Sequence, residues 1–448
     1  MFKRKAYQEL LRWKTQSNGK TALLIEGARR VGKTTIAEEL GKKEYPAFHT
    51  IDFSVAADAF KKHFENLLNL DDFFAKLFLD LRISPLPAGS LLIFDEIQFC
   101  PKARQAIKTL VRDGRYHYIE TGSLLSIKEN TEDILIPSEE ESIQMYPMDY
   151  EEFLWAIGSE YEANLLRDGY EGKRKLDQSM HQSLMQNFRL YLAIGGMPKV
   201  LASFLANRDF YAADKEKKAI INLYEEDLRK IDNKYGTICY TVWKHMPFML
   251  SGHSSRFSVS SVDERADSVL FANTMNKLEE SKMVIPVFRC KDPLGGFELT
   301  KDQTMFKLYF SDVGLFTSLI YAQNKNDNRD VYQRLVLDKL SANFGMLYEN
   351  YVAQCLVANG FMPFYYSWAK EDEKGNKAKY EIDFLINVKG KTTPIEVKSK
   401  RVSSLSSLTN FKQTYGKAIG EKLLVKPKPF SRDSDCTNLP TYMLFALQ

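Results

Sequence analysis

The sequence predicts an α/β chain of several domains, with a parallel sheet covered on both faces in the N-terminal third and a second α/β unit at the C-terminus. Three observations lead there. At 448 residues the chain is longer than one hydrophobic core serves, so two to four domains are expected. Over roughly the first 155 residues, short apolar runs alternate with helical stretches, the pattern of strands buried on both faces. Near the other end, two β-patterned runs flank a Lys389-Gly390-Lys391 turn. With 44% hydrophobic and 27% charged residues, the composition is that of a folded chain rather than a disordered one.

Taken in order, strands are predicted at Thr21–Glu26, His49–Phe53, Ser90–Asp95, Tyr116–Thr121 and Ser142–Tyr146. Helices are predicted at Thr34–Lys43, Phe60–Leu81, Lys102–Asp113 and Tyr150–Ile157. From Asn164 to about Asp232 the pattern is helical, broken at Gly195-Gly196 and Pro198. A mixed segment follows, with a helix at Arg265–Ser281 and two β-like runs, MVIPVFRC and FKLYFSDVGL. Helix, helix and a two-stranded wing is the plan of a winged-helix module. Its second helix carries Glu279 and Glu280, which disfavour a phosphate-facing role. The polar run from Gln323 to Asp330 reads as a linker.

The five cysteines and six histidines show no paired metal or disulfide spacing. No apolar run has the length needed to span a bilayer, so no membrane association and a reducing, cytoplasmic setting are expected. A net charge of +4 is too small to identify a nucleic-acid partner. Its distribution says more: from Ile386 to Phe430 there are ten Lys/Arg against two acids, Glu396 and Glu421.

Gly27-Ala28-Arg29-Arg30-Val31-Gly32-Lys33-Thr34 matches the phosphate-binding pattern GxxxxGK[ST], behind an apolar strand and ahead of a helix. The glycines let the backbone wrap a phosphate with its N–H groups inward, at the positive end of the helix. Together with Thr35, the loop residues Gly27, Arg29, Arg30, Val31, Gly32, Lys33 and Thr34 form the expected ATP site. Lys33 would reach the β and γ phosphates, and Thr34 would be a ligand of Mg²⁺. The apolar strand Leu91–Phe94 ends in Asp95, expected in the Mg²⁺ shell, and Glu96, expected to orient or deprotonate the attacking water. On the next strand, Thr121 or Ser123 is expected as a polar sensor, against the alternative of a turn with no role.

GARRVGKTT, LLIFDEIQ, ETGSLL, MYPMDYEEFLWA and LAIGGMPKVL together resemble a prokaryotic AAA+-like ATPase family whose ATPase domain precedes a C-terminal domain of uncharacterised function. The resemblance covers essentially the whole chain. It implies an ATPase core (1–163), a helical lid with the GGMP turn (164–235), a winged helix (236–322) and a nuclease-like end domain (331–448). One departure stands out. Many relatives carry a Gly-Arg pair where this chain reads IPSEEESIQ, so no arginine finger is assigned. Arg104, Arg112, Arg115 and Arg229 remain unranked candidates for one, each expected rather to be a solvated surface charge.

In the last unit, Glu349 lies on a predicted helix. Asp383 and Glu396 fall on the two hairpin strands, and Lys398 shares the face of Glu396 because strand side chains repeat every two residues. Paired carboxylates with a lysine are the ingredients of a divalent-metal phosphodiesterase, with Asp383 and Glu396 as ligands. Helix-Glu, Asp, then ExK resembles the restriction-endonuclease-like PD-(D/E)xK superfamily, with Ile382-Asp383 in place of the PD pair. That resemblance also points to Gln413 and Tyr415, on the following helix, as supporting residues. The bland alternative is a strand ion pair of Glu396 with Lys398.

The reading is therefore an ATP- and Mg²⁺-using ATPase coupled to a nuclease-like domain that acts on or senses nucleic acid. A signalling switch with an inactive binding module is the rival, and a regulator acting through the winged helix a third. Assembly as a homo-oligomer is left open.

Overall fold

A computed structural model describes residues 1–122, 137–172, 176–231, 233–251, 256–257, 268–321, 328–339, 345–371, 377–399, 405–432 and 436–447. The chain divides into two compact units, one of residues 1–146 with 280–282, the other of residues 147–279 with 283–448. The first break therefore falls at Tyr146 rather than at the expected 163.

The first unit is built on five parallel strands, β1 (Ala22–Glu26), β2 (Phe48–Asp52), β3 (Leu91–Asp95), β4 (His117–Gly122) and β5 (Glu140–Gln144), in the order β2-β3-β4-β1-β5. Each lies at or beside its expected strand, although β5 (EESIQ) is polar and ends at Gln144, two residues before the expected Tyr146. The order sets β4 between β1 and β3, so the ends of the P-loop strand and the Asp95 strand flank the end of β4. One side of the sheet packs on an aromatic cluster in which Phe64 meets Phe53, Phe73 and Phe94 edge to face, with ring centres 5.3–5.6 Å apart.

The single helix expected over Phe60–Leu81 is instead a short helix (Asp58–Lys61), a 3-10 turn (Lys62–Glu65) and a helix from Leu70 to Leu81. Two asparagines cause the break. Asn66 Oδ1 accepts the Leu68 N–H, and Asn69 Oδ1 accepts those of Asp71 and Asp72, capping the second helix.

In the second unit, helices Glu160–Glu171, Gln178–Ile194, Pro198–Asn207, Phe210–Lys230 and Asn233–Ser251 precede a mixed sheet. Among the described residues no single helix is long and apolar enough to cross a membrane. The sheet contains β6 (Arg256–Phe257), β7 (Val284–Cys290), β8 (Lys301–Phe310), β9 (Phe364–Glu371), β10 (Lys377–Val388), β11 (Lys391–Val397), β12 (Leu423–Lys426), β13 (Ser431–Arg432) and β14 (Thr437–Pro440). The β7–β8 hairpin follows the helix Ser268–Glu280. It does not stand apart, because β7 pairs in parallel with β9 and so joins the C-terminal strands in one sheet. The expected linker is described only from Asn328 onward, where it enters the helix Arg329–Val336.

Three sequence motifs converge inside this unit. The Gly196 N–H donates to Asp312 Oδ2 at 2.6 Å, and Gly196 O accepts the Met148 N–H at 2.8 Å. A Cβ on Gly196 would lie 2.0 Å from Met148 O, so the GGMP turn admits no side chain there. Gly196→Ala should therefore destabilise this unit by about 1–3 kcal/mol, as overpacking does. Thermal melting measures it, and an unchanged midpoint would show that the backbone yields freely.

Candidate functional site

In the first unit the chain leaves β1 at Glu26, turns through Gly27–Gly32 and enters the helix Lys33–Glu44. Gly27 cannot carry a side chain, since a Cβ would meet Met145 O at 2.2 Å. Val31 is buried, Arg29 half-buried, and Arg30 and Thr35 exposed along the loop and first helical turn. Lys33 is buried and donates to Gly27 O at 2.9 Å and Ala28 O at 3.0 Å. Burial pulls its ammonium down to about 8, against the pull of Glu96 and Asp95 upward.

The acid side of the site comes from β3 and β4. Thr34 Oγ1 donates to Asp95 Oδ1 at 2.7 Å, and Thr121 Oγ1 donates to the same oxygen. The two residues expected to share Mg²⁺ are thus in contact, and Thr121 bridges them to β4. Ser123 lies outside the described residues. Glu96 sits in the left-handed region (φ 53°), an uncommon place for a residue with a side chain. Its N–H donates to Thr121 Oγ1 at 3.3 Å, and its carboxylate accepts the Gln98 side-chain amide.

Three residues of this unit have roles that sequence reasoning missed. Gln98 restrains Glu96; it stood inside the LLIFDEIQ motif without a role. Arg4, near the start of the chain, clamps the site by donating to Val31 O at 2.8 Å and Tyr146 O at 2.6 Å. Nothing local marks it. Arg104 is not the solvated charge expected: it is buried and doubly bonded to Glu140, at 2.7 and 3.0 Å. The reason is the neighbouring Glu120, fully buried on β4, whose pKa is driven well up by desolvation and then by Glu140. A carboxyl so fully buried is no alternative to Glu96 as water activator. Of the other arginines, Arg115 is half-buried and held by Asp113 and Asp71, while Arg112 pairs with Glu139 at 3.2 Å and remains mostly exposed.

In the second unit the hairpin expected around Asp383 and Glu396 is present. β10 and β11 are antiparallel, with Phe384 opposite Ile395 and a turn at Lys389-Gly390 whose φ values are both positive. The pairing of β10 with β9 is irregular between Ile382 and Leu385, which is where Asp383 lies. Irregularities of this kind re-aim side chains. Asp383 Oδ2 accepts the Val397 N–H at 2.8 Å, and Lys398 Nζ donates to Glu396 Oε1 at 2.6 Å. Glu396 is buried, and its second oxygen, Oε2, has no hydrogen-bond partner among the described residues. Desolvation, then repulsion from Asp383, raises its pKa, with Lys398 opposing.

Glu349 joins from the helix Gly345–Ala358. Its neighbour Asn350 pins that helix to β8 by accepting the Phe310 N–H at 2.7 Å and donating to Phe310 O at 2.9 Å. Glu349 then accepts the Tyr309 hydroxyl at 3.2 Å, and desolvation raises its pKa. The structure adds Lys307, on β8, which is buried and pairs with Glu381 at 2.8 Å. Gln413 and Tyr415 are not brought to the acids. Gln413 is exposed and Tyr415 bonds Tyr366, because their helix packs on the Ile382–Leu385 side of β10. Among the described residues, no three His, Cys, Asp or Glu side chains gather closely enough to hold a metal ion. Of the basic stretch, Lys389, Lys391, Lys412 and Lys428 are exposed, whereas Lys422 is buried.

Residues 19–154 match the family model of an AAA domain. Residues 185–326 and 344–442 match two models described as domains of unknown function, DUF8612 and DUF4143. No curated protein matches the chain in sequence. Among solved structures, a Walker-type ATPase of Pyrococcus abyssi is 15% identical, with 71% of this chain and 96% of that one covered at a TM-score of 0.42. Cdc6p from Pyrobaculum aerophilum is 13% identical over 75% and 95%, TM-score 0.26. A signal-transduction ATPase with numerous domains and a tetratricopeptide-repeat sensor from Pyrococcus horikoshii is 12% identical over 80% and 49%, TM-score 0.25. Likeness at that level says nothing about what this chain binds. The family match and the strand order together make the N-terminal unit a P-loop ATPase domain of the AAA type.

Proposed function

We propose that the chain binds and hydrolyses ATP at Lys33, Thr34, Asp95 and Glu96, and that its C-terminal sheet carries a divalent-metal site that cleaves nucleic acid. The observation that carries the second half is Glu396 Oε2, a buried acceptor without a partner among the described residues, beside Asp383 on the adjacent strand. Paired carboxylate oxygens are the kind of ligand that Mg²⁺ takes, an ion that keeps several waters and binds substrate phosphates. Asp383 and Glu396 would hold the ion, whose chemistry is to activate water and neutralise charge on the leaving oxygen. Lys398, 2.6 Å from Glu396, would donate to a phosphate oxygen. Glu349 would complete the group from its helix.

At the nucleotide site, Thr34 and Asp95 would hold Mg²⁺ with ATP. Lys33 would exchange the Gly27 and Ala28 carbonyls for phosphate oxygens. Glu96 would orient the attacking water, with Thr121 holding the local hydrogen bonds in register.

Among the described residues no three such side chains gather closely enough to hold a metal ion, and a second reading follows, in which the C-terminal sheet binds without cutting. A cleavage assay on single- and double-stranded DNA and RNA, with Mg²⁺ or Mn²⁺ and with or without ATP, decides between them. Cleavage that requires the metal and Asp383 supports the first reading, and its absence on every substrate supports the second.

Lys33→Ala should weaken ATP binding at least about tenfold, roughly 1.4 kcal/mol. In the parent, affinity should be highest below pH 8 and fall as pH rises through it. The free protein's Lys33 loses its proton near 8, and only the charged form attracts phosphate. Calorimetric titration from pH 7 to 9.5 measures both effects. Unchanged affinity in the variant would remove Lys33 from the site.

A further inference from the structure

Glu96 and Gln98 are two residues apart, and the backbone between them brings their side chains together. Glu96 follows β3 in a left-handed conformation (φ 53°, ψ 53°), and Ile97–Phe99 then form a 3-10 turn. The Phe99 N–H donates to Glu96 O at 3.0 Å, and the Cys100 N–H donates to Ile97 O at 2.9 Å. Ile97 and Cys100 are buried, so the turn is anchored at both ends. Held there, Gln98 Nε2 donates to Glu96 Oε2. Only the nitrogen of an amide can donate to a carboxylate, which settles the end of the amide that meets Glu96. The other end, Gln98 Oε1, is buried and has no hydrogen-bond partner among the described residues.

Packing alone does not account for this amide. Gln98 is 5% exposed, and an unpaired acceptor at that depth carries a desolvation cost that an apolar side chain of similar length avoids. What the amide does engage is Glu96, which is half-buried beside the phosphate-binding loop and whose charge acts on Lys33 ahead of that of Asp95.

We propose that Gln98 is a positioning residue for ATP hydrolysis, its amide holding one oxygen of Glu96 and reserving the other for the attacking water. The inference rests on the reading of Glu96 as the residue that orients that water. Glu96 Oε1 takes no hydrogen bond from a described residue. With Oε2 held, the carboxylate keeps one orientation, and the water meets an acceptor that is already in place. Thr121 secures the same residue from the other side, accepting the Glu96 N–H at 3.3 Å. Thr121 thus steadies the main chain of Glu96, and Gln98 its side chain.

The test compares the full-length parent with Gln98→Met, Glu96→Gln and the double variant, by single-turnover ATP hydrolysis and by nucleotide titration. Gln98→Met keeps the length of the side chain and removes the donor. It should leave ATP affinity within about threefold of the parent and lower the hydrolysis rate roughly 10- to 100-fold, the scale of a small misplacement. In the Glu96→Gln background the same change should alter the rate by less than about twofold, because the carboxylate that Gln98 positions is already gone. A structural role gives the same factor in both backgrounds. Should Gln98→Met fail to fold, Gln98→Glu keeps the shape, replaces the donor with an acceptor and is read in the same way. A parental rate in these variants, or equal losses in both backgrounds, overturns the role of Gln98, while low turnover in Glu96→Gln leaves the reading of Glu96 standing. Parental turnover in Glu96→Gln overturns that reading, and the role of Gln98 with it.

Discussion

Glu96→Gln should leave ATP affinity within about threefold of the parent and lower turnover by roughly 10²–10⁴, the range contributed by a positioned acid or base. The amide keeps the shape of the side chain and its place next to Gln98 and Thr121, but it cannot take or direct a proton. Glu96 holds a left-handed backbone (φ 53°) directly after Asp95. Steady-state phosphate release and a separate nucleotide titration distinguish binding from chemistry. Parental turnover in the variant would assign water activation elsewhere. Glu120 would not inherit it, being sealed beneath the sheet with Arg104 and Glu140.

Asp383→Ala and Glu396→Ala should each abolish metal-dependent stabilisation and any cleavage, while ATP hydrolysis stays within about twofold. The parent at 100 times the metal dissociation constant gains about 2.7 kcal/mol from binding, and the variants should gain none. Burial first, and repulsion from Asp383 after it, raises the pKa of Glu396 and of Glu349, so a divalent ion relieves a cost that is built in. Lys398→Ala should keep the metal-dependent shift in melting temperature and lose only cleavage, since a charged lysine is no ligand. Differential scanning calorimetry of the full-length chain with and without Mn²⁺ reads the stabilisation. A parent melting curve indifferent to metal would reduce Glu396 and Lys398 to a strand ion pair.

What could be read from the sequence follows a simple division. GARRVGKTT was legible because its chemistry is contiguous: a strand end, a loop and a helix start supply every group that wraps a phosphate. The β10–β11 hairpin was legible because alternation and a Lys-Gly turn are local too, and with it the proximity of Asp383 and Glu396. The helix over Phe60–Leu81 was misjudged where two asparagines competed for backbone N–H groups, a signal that was present but unweighted. Gln413 was assigned to the site by resemblance, yet it sits exposed on a helix packed against the other side of β10.

By itself the sequence determined the phosphate-binding loop, the five parallel strands, the acids at the end of β3 and the carboxylate hairpin, because periodicity and turn chemistry act over a few residues. Only the tertiary structure decided which charges are buried and what faces them. Arg4 reaches Tyr146 across 142 positions, Arg104 disappears under the sheet to meet Glu140, and Lys307 joins acids more than forty residues away. Desolvation is the physical reason. The cost of a charge depends on everything packed around it, and for these residues the packing comes from distant parts of the chain.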